Sequence, residues 1–235
     1  MKKLLIDPFL RLTRFERGLW FVSLLCAAAS YALSPARDVL TLIASLVGLT
    51  SLILNARGDV LGQILMVVFS VIYGVISYSF RYYGEMITYL GMTAPIAAAA
   101  VVSWIRHPFK GTAEVAVQQI GKKAWLILLL LTAATTWAFY YILRAFDTAN
   151  LFMSTVSVTT SFLGASLTFL RSPYYALGYA ANDVVLIILW ILASIENPAY
   201  LPMILCFLMF LVNDLYGYIS WKRMQKRQSG QLSAE

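Results

Sequence analysis

Charge is what this sequence has least of. Of its 235 residues, 12% are Asp, Glu, Lys or Arg, against about a quarter in soluble domains. That scarcity excludes a water-soluble fold. Histidine occurs once, at His107, beside Pro108 in a basic loop. One loop histidine and no H-E-x-x-H exclude a zinc centre, so no metal is expected. Cys26 and Cys206 both fall in apolar runs without a C-x-x-C spacing, so they read as buried free thiols rather than a disulfide. Gly121-Lys122-Lys123 is not a phosphate loop: position 116 is Ala and no Ser or Thr follows the Lys. No ATP motor and no cofactor site are visible.

Apolar residues are what the chain has most of, at 60%. They fall into eight runs, about 18–33, 38–55, 60–80, 85–105, 124–143, 150–170, 173–195 and 200–221. Each is close to the roughly twenty residues that cross a bilayer as a helix. Barrel strands would alternate, and these runs do not. The first run follows Arg17 like a signal anchor, but no A-x-A-like cleavage site with a polar start follows it. The expectation is an all-α, eight-helix integral membrane protein whose main partner is the lipid bilayer.

Orientation follows from the basic residues. With a cytoplasmic N-terminus, fifteen fall on the inner side: Lys2, Lys3, Arg11, Arg14, Arg17, Arg57, Arg106, Lys110, Lys122, Lys123, Arg171, Lys222, Arg223, Lys226 and Arg227. Three fall outside: Arg37, Arg81 and Arg144. The positive-inside rule puts both termini in the cytoplasm. The net charge of +7 is then a matter of orientation and needs no nucleic-acid partner.

The chain also repeats itself. Ser103-Trp104-Ile105-Arg106 resembles Ser220-Trp221-Lys222-Arg223, and Arg57 resembles Arg171, at offsets of 117 and 114. Two adjoining three-helix units would be inverted, because three is odd. The helix at 124–143 supplies the extra crossing and makes the units parallel, about an axis along the membrane normal. SWEET sugar transporters share that arrangement. The expected order is 1+3+1+3. Residues 1–37 form the N-terminus and a peripheral helix, and 38–106 the first repeat. Residues 107–149 form a basic loop and linker helix, 150–223 the second repeat, and 224–235 a disordered cytoplasmic tail.

Polar residues inside the runs are the functional candidates. Asn182-Asp183 and Asn213-Asp214 each sit within an apolar stretch, where an ionised Asp costs about 2.5–3.5 kcal/mol on insertion scales. They mark either a polar cavity or hydrogen-bond glue between helices. Stripes at helical spacing accompany them: Gln63, Ser70, Gly74 and Ser77; Tyr175, Tyr179 and Asn182; Asn213, Tyr216, Gly217 and Ser220. Ser70, Gly74 and Ser77 fit close helix packing equally well. Amides and phenols suit a planar, hydroxylated small molecule better than a simple ion. Trp137, Tyr140, Tyr141, Trp190, Trp104 and Trp221 lie near helix ends and read as interfacial belt residues. Glu85 reads as an N-terminal cap. A distant alternative is an intramembrane enzyme using Asp183 and Asp214. It needs carboxylates close enough to share a proton, and Asp214 is expected nearer the inner end than Asp183.

The segment Tyr174-Tyr175-Ala176-Leu177-Gly178-Tyr179-Ala180-Ala181-Asn182-Asp183, with Asn213-Asp214-Leu215-Tyr216-Gly217-Tyr218-Ile219-Ser220-Trp221, resembles the PnuC family of bacterial vitamin transporters. The resemblance runs from about Arg37 to Gln228. It implies SWEET-like repeats and facilitated diffusion of nicotinamide riboside into the cell through the inner membrane, with phosphorylation trapping the product. Other branches of the family imply thiamine, riboflavin or deoxynucleosides as alternative substrates. Tyr175 and Tyr179 would flank the planar ring. Asn182 and Asn213 would hydrogen-bond the carboxamide or ribose, with Gln63 as a further candidate. Asp183 would attract the pyridinium, and Asp214 and Tyr216 would serve as gate or helix-pairing residues. Family members carry Trp before the Asn of the penultimate helix, where this chain has Tyr175 and Gly178. A homo-oligomer is left open.

Overall fold

The computed structural model describes residues 8–33, 38–79, 82–148 and 150–232. Lys2, Lys3, Arg37 and Arg81 of the topology count lie outside the described residues. Helix α1 spans Arg14–Leu33, α2 Val39–Ala56, α3 Val60–Ser79, α4 Tyr83–Thr88, α5 Ala94–Arg106, α6 Lys122–Ala145, α7 Leu151–Phe169, α8 Tyr175–Glu196 and α9 Leu201–Leu232. A π-turn, Tyr89–Thr93, joins α4 to α5. Among the described residues only isolated bridges pair as strands do.

Local chemistry sets the boundaries. At α1, Thr13 and Glu16 cap each other: the Thr13 N–H donates to Glu16 Oε2 (2.6 Å) and the Glu16 N–H to Thr13 Oγ1 (3.2 Å). Asp38 opens α2 by accepting from the N–H groups of Leu40 and Thr41. The turn from α2 to α3 needs Gly58, whose φ is +65°. The π-turn precedes Pro95, which has no N–H to donate to the carbonyl four residues back. The Ala94 N–H bonds instead to Tyr89 O, five residues back.

Among the described residues, seven helical stretches are long and apolar enough to cross a membrane, with Tyr83–Arg106 counted as one. α1 is not among them; Arg14, Glu16 and Arg17 occupy its first turn. Six of the stretches close into a ring. α2 packs on α3, α3 on α5, α5 on α7, α7 on α8, α8 on α9 and α9 on α2. α1 lies outside this ring on α2 and α9, and α6 lies outside it on α7. The face of α6 away from α7 carries exposed Leu126, Leu129 and Leu130, as a lipid-facing helix requires.

The end of the bundle that holds Arg57, Arg106, Arg171 and Arg223 is tied together by its backbone. Ser103 Oγ donates to Phe169 O (3.0 Å) and Trp104 Nε1 to Thr168 O (3.0 Å). Ser220 Oγ donates to Ala56 O (2.7 Å) and Trp221 Nε1 to Asn55 O (2.7 Å). Both indoles are buried, so the belt reading of Trp104 and Trp221 is corrected: their N–H groups satisfy carbonyls at the last turns of α7 and α2. Residues 107–121 run beneath the bundle, where the Val115 N–H donates to Gly58 O and the Gln118 N–H to Arg171 O. The tail is corrected too. It continues α9 as helix to Leu232, held by Gln228, which accepts from the Val117 N–H and donates to Val115 O, and by the Arg227–Glu114 ion pair.

Candidate functional site

Halfway down the ring, all six stretches contribute to one small space. Its lining includes Leu52 of α2, Met66 and Phe69 of α3, Tyr89 and Thr93 of the π-turn, Ser161 of α7, Tyr179, Asn182 and Asp183 of α8, and Phe210 and Asp214 of α9. The space measures about 20 Å³, enough for about one water. A roomier cleft of about 510 Å³ lies between α5, α6 and α7, but Ser166 is its one polar side chain among apolar ones, so it offers a polar solute little.

Asn182 is oriented by α7. Its Oδ1 accepts from Ser157 Oγ (3.2 Å), Thr160 Oγ1 (3.0 Å) and Ser161 Oγ (2.9 Å). The Tyr89 hydroxyl lies against the same amide. With the acceptor oxygen occupied, the Tyr89 contact falls to Nδ2, whose second N–H is the donor left for a ligand.

The carboxyl groups of Asp183 and Asp214 are in hydrogen-bonding contact. This corrects the expected difference in depth. α8 leaves the basic end at Tyr175, and Asp183 is eight residues on, about 12 Å; Asp214 is seven residues before Trp221 on antiparallel α9, about 10 Å from the same end. Counting from the basic end on both helices gives nearly equal depths. Both residues are buried, and Asp183 Oδ2 has no hydrogen-bond partner among the described residues.

The other expected residues are dispersed. Asn213 faces α1, not the space beside Asn182: its Nδ2 donates to Ser23 Oγ (2.9 Å) and Met209 O (2.8 Å). Gln63 donates through Nε2 to Asn55 Oδ1 (2.8 Å) and is not in the lining. The Tyr216 hydroxyl donates to Glu16 Oε1 (2.8 Å), pairing α9 with α1 at the basic end, where Arg57 also reaches Glu16 (3.7 Å). Tyr175 sits just below the lining, its ring 4.9 Å from Trp221 and 6.3 Å from Tyr179.

Aromatic rings close the space on both sides. Toward the basic end stand Tyr175, Trp221 and Trp104. Toward the other end, Trp190 Nε1 donates to the Tyr73 hydroxyl (3.2 Å), and Tyr82 and Tyr200 pack on the Trp190 indole at 5.1 and 5.6 Å. Trp190 is 2% exposed while Trp137 is 68% exposed. The belt reading therefore suits Trp137 and is corrected for Trp190.

Sequence reasoning missed Phe69, Tyr89, Thr93, Ser161 and Phe210. A signal for α7 was present: Ser154, Thr155, Ser157, Thr159, Thr160 and Ser161 crowd six hydroxyls into eight residues of an apolar run.

The Gly178 departure has a steric cause. A Cβ on Gly178 would lie 2.7 Å from Gly164 Cα and 2.8 Å from its N. The backbone of α7 fills the place where the resemblance implies an indole.

Comparison with known proteins now decides the family. The family described as Nicotinamide mononucleotide transporter matches residues 38–223. The chain belongs to this family. The nicotinamide riboside transporter PnuC of Neisseria mucosa is 27% identical over 225 residues, covering 93% of this chain and 85% of that protein. The nicotinamide riboside transporter PnuC of Haemophilus influenzae is 23% identical over 190 residues, covering 80% and 81%. A crystal structure of the vitamin B3 transporter PnuC superposes with a TM-score of 0.81 at 24% identity, covering 92% of this chain and 94% of that one, which shows a shared fold. The protein is thus a PnuC-family membrane transporter and not an enzyme. The reading of Asp183 and Asp214 as an enzyme's pair falls on that ground, although their carboxyls do meet.

Proposed function

We propose that the protein carries nicotinamide riboside across the bacterial inner membrane by facilitated diffusion, and that phosphorylation inside the cell keeps the product from returning. The observation that carries this reading is the buried space ringed by six helices, where an amide donor, a carboxyl pair and aromatic rings meet. Each group has a counterpart on the ligand. Asp183 faces the cationic ring, Asn182 donates to the carboxamide or a ribose oxygen, and Tyr179 and Tyr89 flank the ring plane. Tyr175 is the ring that closes the site toward the basic end, and Asp214 fixes Asp183. Asn213, Gln63 and Tyr216 are engaged with other residues in this conformation and belong to the surrounding scaffold. Two relatives bearing the riboside in their names support the substrate.

A space of about 20 Å³ is far below the several hundred Å³ that enclose a small organic ligand. Loading therefore requires one aromatic closure to open at a time, at Tyr175–Trp221 or at Trp190–Tyr73.

The arrangement is read as 1+3+1+3, with α1 as an eighth crossing and parallel units at 38–106 and 150–223. Support comes from the contacts, which repeat. α2–α3 and α3–α5 correspond to α7–α8 and α8–α9, and α9–α2 corresponds to α5–α7. The Ser–Trp hydrogen bonds repeat in the same sense. Both termini are placed in the cytoplasm by the distribution of basic residues.

Counterflow in proteoliposomes tests the function. Vesicles preloaded with unlabelled nicotinamide riboside should take up the labelled compound with no ion gradient. A strict requirement for a proton or sodium gradient would refute passive transport, and tighter binding of thiamine would overturn the substrate.

A further inference from the structure

Glu85 stands in the first turn of α4, where an acidic side chain is expected to cap. It caps nothing. The residue is 4% exposed, and neither carboxyl oxygen has a hydrogen-bond partner among the described residues. Ser157 is the hydroxyl beside it, but Ser157 Oγ donates to Asn182 Oδ1. A carboxyl group buried in an apolar bundle without partners is costly, and groups of this kind inside membranes mark ligand or ion paths.

The surroundings give the path a direction. Glu85, Tyr89 and Thr93 follow at four-residue spacing, a stripe about 12 Å long down the α4–α5 span. Its lower members, Tyr89 and Thr93, line the central space. Tyr89 lies near both Glu85 and Asp183. Glu85 is also near Tyr73, which accepts from the Trp190 indole of the closure. The π-turn beneath Glu85 is the segment of this span whose hydrogen bonding is already altered.

We propose that Glu85 is a second ligand-binding station, a buried counter-charge for a cationic, planar-ringed solute on the side away from the basic residues, from which it passes Tyr89 to reach Asp183 and Asp214. The proposal rests on the riboside reading for its ligand and adds a residue and a place that reading does not contain.

The test separates charge recognition from packing. Full-length wild type, Glu85→Gln and Glu85→Asp are titrated with nicotinamide riboside and with its 1,4-dihydro form. The dihydro form keeps the carboxamide and ribose but has no ring charge. Glu85→Gln is expected to weaken riboside binding at least about tenfold and to leave the dihydro form within about twofold of wild type. Glu85→Asp is expected to keep a reduced preference for the charged ligand. Equal loss for both ligands, or loss for neither, overturns the proposal. If Glu85→Gln does not fold, Glu85→Asp decides, and a preference unchanged from wild type overturns it. Wild type that binds no riboside removes the riboside reading and this proposal together, whereas wild type that binds it normally beside an unaffected Glu85→Gln removes only this one.

Discussion

The indole rings of Trp104 and Trp221 meet at 5.4 Å, inclined by 47°, and each donates its N–H to a carbonyl at the end of a different helix, Thr168 of α7 and Asn55 of α2. Helix ends leave their last carbonyls without intrahelical donors. Here the donors come from α5 and α9, so each Ser-Trp pair fastens its own helix to the next one in the ring. The two fastenings touch at one point, which makes the basic end of the bundle a single unit.

Removing either indole N–H should therefore destabilise the protein by a similar amount. Trp104→Phe and Trp221→Phe keep an aromatic ring and leave a buried carbonyl unpaired, at a cost of about 1–3 kcal/mol. Thermal unfolding in detergent measures it. Because the rings are in contact, the double variant should differ from the sum of the singles by more than about 0.5 kcal/mol. Strict additivity would show that the two fastenings act independently.

Much of this was readable in the sequence, and the parts that were not share a cause. A period of 3.6 tells which residues share a helix face, so the Tyr179–Asn182 stripe and the repeated Ser-Trp pairs were visible. It does not tell which neighbour that face meets. Asn213 shares a face with polar residues, yet that face meets Ser23 of α1. Gln63 likewise meets Asn55. The Asp183–Asp214 contact required counting depth along antiparallel helices from the same end. The helix beyond Arg223 is polar, and its order comes from Gln228 and Glu114 contacts distant in sequence, which composition cannot show. Glu85 looked like a cap because position alone suggested it; only the structure shows that it has no hydrogen-bond partner among the described residues.

Gly178 should tolerate no side chain. A Cβ there would come within 2.7 Å of Gly164 Cα, and backbone cannot yield as a flexible side chain does. Gly178→Ala should cost about 1–3 kcal/mol by overpacking, read as a lower melting temperature, and should weaken ligand binding because α8 carries Asn182 and Asp183. Gly178→Trp should not yield folded protein. Normal stability for Gly178→Ala would mean that α7 and α8 separate easily, and the account of the missing Trp would fail.

Asp183 and Asp214 should not contribute equally. A hydrogen bond between two carboxyl groups requires a proton on one of them. In the proposed site Asp183, which follows Asn182 on α8 and has Oδ2 without a hydrogen-bond partner among the described residues, is the carboxyl that meets the ligand. Asp214→Asn keeps a donor toward Asp183 and should change riboside affinity little. Asp183→Asn removes the counter-charge and should weaken it at least about tenfold. Calorimetric titration of both variants decides, and equal effects would make the pair a structural bridge.

Asn182→Leu should weaken riboside binding at least about tenfold while the protein still folds. Leu is apolar and close in volume, so insertion should not suffer. The substitution removes the Nδ2 donor and also strips Ser157, Thr160 and Ser161 of their shared acceptor. Thr160 Oγ1 already lies 3.0 Å from Val156 O, and a helical Ser can turn its hydroxyl to the carbonyl four residues back. The stability cost should thus be smaller than for an unpaired buried group. The binding cost should be larger, because a ligand oxygen brought into the space loses its donor, about 1–3 kcal/mol or roughly tenfold and more in affinity. Tyr179→Phe keeps the ring and loses only the hydroxyl, so it should cost less if stacking dominates. Titration of nicotinamide riboside against wild type and both variants separates the two roles. Unchanged affinity in Asn182→Leu would take this residue out of the site, and a larger loss in Tyr179→Phe would make the phenol, not the ring, the group that holds the ligand.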